Sequence, residues 1–134
     1  MFLRYNLPAI IWALIIFVLC SMPGKSIPNF DWMQLFSFDK LIHAGIFFVL
    51  QLLAMRGFFL QNTFPPLQAH FKIIPLFICI CYGGELEILQ STVFTDRAGE
   101  LLDFIANSVG ALLAALLFEK LKWLLGIKNK KAFP

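Results

Sequence analysis

The sequence predicts an all-α protein built as a bundle of four transmembrane helices, and three observations carry that prediction. Hydrophobic residues make up 60% of the chain against 14% charged, with a mean hydropathy of +0.80, too apolar for a soluble domain. The 134 residues hold four apolar runs, each near the ~20 residues that a hydrocarbon core requires. Lysine and arginine fall unevenly on the two sides that these runs define, which is the bias that orients a membrane protein.

The first run extends from Leu7 to about Met22, with Asn6 as N-cap, Pro8 in the first turn, and Pro23 and Gly24 closing it. Arg4 ahead of the run also matches a cleaved signal peptide. However, "VLCSMPG" has no clean small-x-small site, and leucine precedes Cys20 where a lipoprotein signal has a small residue, so a span is the favoured reading. Residues 23 to 38 form an aromatic loop whose Phe30, Trp32, Phe36 and Phe38 suit a segment lying among headgroups. The second span runs from Asp39 to Phe59, where Gly57 and then "QNTFPPLQAH" break the pattern. The third runs from Phe71 to Gln90 with Pro75 in its first turns, and the fourth from Glu100 to about Leu125. Residues 126 to 134 are a basic tail, and no repeat divides the chain into more than one domain.

Arg4, Arg56, Lys72, Lys120, Lys122, Lys128, Lys130 and Lys131 fall on the side of the two termini, eight against Lys25, Lys40 and Arg97 opposite. The positive-inside rule therefore puts both termini in the cytoplasm and the 23 to 38 and 91 to 99 loops outside. All acidic residues except Glu119 lie toward that outer side. Cys20, Cys79 and Cys81 sit in apolar stretches without metal-binding or disulfide spacing and read as small packing residues. The basic tail is explained by topology and anionic lipid, so no nucleic-acid partner is expected.

Polar residues inside the spans are costly, and here they share one depth. His43 lies one turn into the second span, Asp103 and Asn107 one and two turns into the fourth, and Glu87 and Gln90 at the end of the third, which runs the other way. Asp39 with His43, Glu87 with Gln90, and Asp103 with Asn107 are each spaced to share a helix face. Glu85 is about 200° from Glu87 and leaves that stripe, to reach the interface or a loop cation. Gly83 on one face, and Gly110, Ala111 and Ala114 on the other, are small enough to bring the third and fourth spans together.

The segments "FDKLIHAGIFFVLQLLA", "GELEILQ" and "TDRAGELLDFIANSVGALLAALL", covering Asp39 to Leu117, resemble the VanZ-like family of small bacterial membrane proteins. The matching positions are Asp39, Lys40 and His43 at one helix start, Glu87 and Gln90 at the next helix end, then Arg97, and Asp103, Asn107 and Gly110 opening a third. The chain departs from the family pattern at "TDRAGE", where members often carry proline and glycine before the arginine. The resemblance implies a bacterial inner-membrane protein and a possible link to teicoplanin-type glycopeptide resistance, with no established chemistry.

Four readings of the polar layer follow from the residues. In the first it only joins the helices, Glu87 pairing with Arg97, Asp39 with His43, and Asp103 with a helix-end amide; bonds of about 0.6 to 2 kcal/mol are a weak return for burying carboxylates. In the second it binds an envelope lipid or lipid-linked cell-wall precursor, with Arg97 and Lys40 taking phosphate while Glu87, Gln90, Asp103 and Asn107 take amines or hydroxyls. In the third it is an enzyme with His43 as acid or base and Asp39 and Glu87 as candidate partners. In the fourth, Glu87, His43 and Asp103 relay protons, which in so small a chain requires a homo-oligomer. No cofactor is called for, and no metal is expected because His70, the other histidine, belongs to the opposite side.

Overall fold

The computed structural model describes residues 1–23, 38–94 and 98–128. The aromatic loop with Phe30, Trp32 and Phe36, the Arg97 turn, and the last residues of the basic tail lie outside them. Among the described residues all regular structure is helical: α1 (Phe2–Ser21), α2 (Phe38–Leu60), a short α3 (Pro65–Ala69), α4 (Ile73–Thr92) and α5 (Leu101–Leu121). Helices α1, α2, α4 and α5, with 20, 23, 20 and 21 residues, are long and apolar enough to cross a membrane. At 1.5 Å per residue each reaches about 30 Å, the thickness of the hydrocarbon core.

The outward and inward faces have the arrangement expected in lipid. Leu14, Phe77, Ile88, Leu102 and Leu116 point outward and are exposed, whereas Gln51, Glu87, Gln90, Asp103 and Asn107 are buried. Water would not tolerate so continuous an apolar exterior on a monomer.

Helix ends follow local chemistry. Helix α1 begins about a turn before Leu7, because Asn6 does not cap: its side-chain amide donates to the Phe2 carbonyl at 3.0 Å, within the helix. Pro75 falls in the first turn of α4, where no intrahelical N–H partner is missed. The connection before it carries the short α3, which the break in hydrophobic pattern did not foretell; Pro65 and Pro66 start it. Buried Gln61 holds its entry by donating to the Phe64 carbonyl at 2.9 Å and accepting the Phe64 N–H at 2.8 Å. Beyond α5, turns continue to Gly126, which sits at φ 72°, a conformation that glycine adopts without strain. The Ile127 N–H then bonds to the Lys122 carbonyl and the Gly126 N–H to the Trp123 carbonyl, both at 3.1 Å, the paired closure of a Schellman cap. The helix itself ends at Leu121, short of the expected Leu125, and Arg56 Nε donates to the Leu125 carbonyl at 2.9 Å.

Helix α2 is the hub, packing on α1, α4 and α5, and its most extensive partner is α5. A Cβ at Gly110 would strike the Ala44 backbone, so the small face of α5 runs against α2 more than against α4. The third and fourth spans do meet, at Gly83 beside Asn107 and at Gly84 beside Phe104. Gly57 performs the same service between α2 and α1, where a Cβ would meet the Asn6 amide and the Tyr5 carbonyl. Two clusters fill the interior. Phe47, Leu50, Cys79, Leu86 and Ala111 join Ile16 and Cys20 in one. Met55, Phe118 and Ile127 form the other, near the chain-terminal end, where the rings of Phe59, Phe71 and Phe118 contact one another at centroid distances of 5.0 to 6.2 Å.

Candidate functional site

The start of α2, the end of α4 and the start of α5 meet at the end of the bundle away from the termini. Contacts of the Phe2 ring with those of Phe58 and Phe64 show which helix ends share the opposite side. Lys40 is the centre of the arrangement. Its ammonium is paired with Asp103 Oδ1, lies 2.6 Å from Glu100 Oε2 and 3.4 Å from Asp39 Oδ2, and so ties α2 to the first turn of α5.

One turn deeper, the His43 ring is held on both edges. Nε2 lies 3.6 Å from Asp103 Oδ2 and 3.7 Å from Asp39 Oδ1, while Nδ1 is 3.1 Å from Asn107 Oδ1. Asn107 packs beside Gly83 of α4, where an added Cβ would touch its side chain. Glu87 enters from α4 and accepts the Glu100 backbone N–H at Oε2, 3.0 Å away. It thereby satisfies a donor at the N-cap of α5 that no side chain of α5 itself satisfies. The loop reaches this position only because residue 99 is glycine: a Cβ there would strike the Glu87 carbonyl and the Ser91 hydroxyl.

Exposure is graded through the layer. The Asp39 and Glu100 side chains are 64% and 55% exposed, Lys40 27%, His43 13% and Asp103 9%, so polar groups lead continuously from the surface to a buried imidazole and carboxylate. The described layer contains four carboxylates, Asp39, Glu87, Glu100 and Asp103, against one ammonium, Lys40. Asp39 and Asp103 stand in the first turns of α2 and α5, where the helix dipole favours negative charge.

Comparison with family models, curated proteins and solved structures returns no match.

Of the residues singled out in the sequence, Asp39, Lys40, His43, Glu87, Asp103 and Asn107 come together. Gln90 is buried at the same depth but turns the other way, donating to the Cys20 carbonyl of α1 at 3.4 Å. Arg97 lies outside the described residues. Of the partners expected for a structural cluster, Asp39 lies beside His43, Glu87 accepts the helix-end N–H expected for Asp103, Asp103 pairs with Lys40, and a Glu87–Arg97 pair involves a residue outside the described ones. Glu100 and Gly99 join the site although sequence reasoning passed over them. Glu100 could have been found, since positions 100, 103 and 107 fall on one helical stripe; Gly99 serves a backbone approach between loop and helix that no local pattern encodes.

The oxygen atoms of Asp39 and Asp103 and a nitrogen of His43 lie within 4.8 Å of one another, close enough to ligate one cation. The Lys40 ammonium already stands between the same two carboxylates and serves as their counter-charge. Chemically the layer offers three things: an imidazole flanked by acids, an acid accepting a backbone N–H, and, among the described residues, an excess of acceptors over fixed cations.

Proposed function

We propose that this chain is a VanZ-like protein of the bacterial inner membrane, with both termini in the cytoplasm, whose outer polar layer binds the headgroup of an envelope lipid or lipid-linked cell-wall precursor. The observation that carries the reading is the exposure gradient from Asp39 and Glu100 down to His43 and Asp103, which offers a headgroup a polar path into the bundle end. Charge selects the headgroup chemistry. Lys40 is engaged by three carboxylates, so an ammonium or hydroxyl-rich group gains acceptors from the layer, whereas a phosphate depends on Arg97. A connection to teicoplanin-type resistance rests on the family resemblance and belongs to the same proposal.

Native mass spectrometry of gently extracted protein tests the headgroup reading. Wild type is expected to retain an amine- or hydroxyl-bearing lipid, and Asn107→Ala and Arg97→Ala to lose it; identical lipid profiles in all three proteins would remove the binding site.

A second reading is favoured by the position of His43 Nε2 between two carboxylates, an arrangement suited to moving a proton on a lipid-linked substrate. Here His43→Gln would keep the bound lipid and stop its turnover. Proton transport gains less support: among the described residues, the buried polar side chains toward the other end are Asn6, Gln51 and Gln61, none of which titrates.

A further inference from the structure

Helices α1 and α4 are bridged by hydrogen bonds from the Tyr82 hydroxyl to the Ala13 carbonyl at 2.6 Å and from Gln90 to the Cys20 carbonyl, and they pack on each other far less than each packs on the rest of the bundle. The space between them is a groove of about 460 Å³, almost wholly apolar in its lining. Ala9 and Ala13 of α1, Ala54 of α2 and Cys81 of α4 are among its walls. Small residues in membrane helices normally let two helices close together. Here α1 and α4 do not close on them, and the room they leave stays open to the bilayer.

One charged residue lines this groove. Glu85 is exposed there, and among the described residues no hydrogen bond or ion pair involves it. Because the Cα–Cβ bond tilts toward the N-terminus of its helix, Glu85 leans along the groove toward Pro75 and away from the near end of α4. Glu87, two residues on, faces the polar layer on the opposite side of α4, so the two glutamates serve different spaces.

We infer that the α1–α4 groove is a second binding site, for an amphiphile with one hydrocarbon chain and a protonated amine that pairs with Glu85. The dimensions suit one extended chain, and the charge at Glu85 selects its headgroup. From Pro75 to Glu85 the groove follows ten residues of α4, about 15 Å, or half the hydrocarbon core. One extended hydrocarbon chain spans that length and fits within the groove. Charge completes the argument: a carboxylate at this depth is costly unless it meets a cation or a hydrogen-bond donor, and it repels phosphate.

The test uses full-length protein in nanodiscs of zwitterionic lipid, photolabelled with dodecylamine or dodecanol, each bearing a diazirine in its chain, and mapped by peptide mass spectrometry. The amine is expected to label α1 around Ala9 to Ala13 and α4 around Ile78 to Tyr82 about tenfold more than the alcohol, the ratio for one charge-assisted hydrogen bond. Glu85→Gln should bring the amine down to the alcohol's level. Cys81→Phe, which fills the groove from an exposed position, should abolish both. Equal labelling by the two probes in wild type would overturn the inference, as would amine labelling of Glu85→Gln that stays well above the alcohol's level or amine adducts confined to the ends of α2 and α5.

Discussion

Replacing Lys40 with methionine isolates the ion pair on which the polar layer depends. The substitution keeps the length and most of the apolar stem and removes only the ammonium. Asp103, with a side chain 9% exposed, then loses its principal counter-charge, and His43 at 3.6 Å is left as the nearest donor. Breaking a buried pair by removing one partner costs about 3–5 kcal/mol. Lys40 is 27% exposed and His43 compensates in part, which brings the expected loss to roughly 2–3 kcal/mol. Asp39 and Glu100, 64% and 55% exposed, contact the same ammonium but are solvated, so Asp39→Asn and Glu100→Gln should each cost less than about 1 kcal/mol. The double variant Lys40→Met/Asp103→Leu should recover most of the loss, since an apolar pair of similar volume removes the stranded charge. Thermal unfolding in a mild detergent reads all five proteins. If Lys40→Met is no worse than Glu100→Gln, or the double variant is no more stable than Lys40→Met alone, the buried pair is not what holds α2 to α5.

Two other outcomes are sharp. Gly110→Ala puts a methyl group into the Ala44 backbone and should cost about 1–3 kcal/mol or more, whereas Gly45→Ala, which meets nothing within 4 Å, should be neutral or gain up to about 1 kcal/mol; the same unfolding assay ranks them. Glu87→Gln still presents an oxygen to the Glu100 N–H and should leave stability near wild type, while Glu87→Leu strands that donor and should lose about 1–2 kcal/mol.

The parts of the fold written as runs and stops were legible. The four spans depend on local chemistry, namely apolar length and proline placement. The depth of the polar layer was legible too, because rise per residue converts sequence position into height. Partner identity was not. Helical phase places Glu87 and Gln90 on one stripe, yet a stripe facing the interior of a four-helix bundle borders more than one neighbour, and these two residues look toward α5 and α1 respectively. The central place of α2 escaped for a related reason: Gly110 announces a close approach without saying to which helix. Glu85 left the stripe on phase alone, and the groove it borders exists only once α1 is placed against α4.

The sign of charge is where the structure most alters the functional expectation. On the sequence, Lys40 and Arg97 form a natural phosphate pair. In the bundle, Lys40 is surrounded by Asp39, Glu100 and Asp103 and contributes no net positive field. A unit charge 4 Å from an uncompensated carboxylate interacts with it by about 4 kcal/mol at the effective dielectric of a protein surface. Among the described residues the layer holds three more carboxylates than ammoniums, a balance that draws in an ammonium and leaves a phosphate dependent on Arg97. Lys40 is therefore better understood as the protein's own occupant of an acidic site, holding α2 against α5. A ligand amine reaching Asp39 and Glu100 from outside would extend the same pattern of alternating charge without having to displace it.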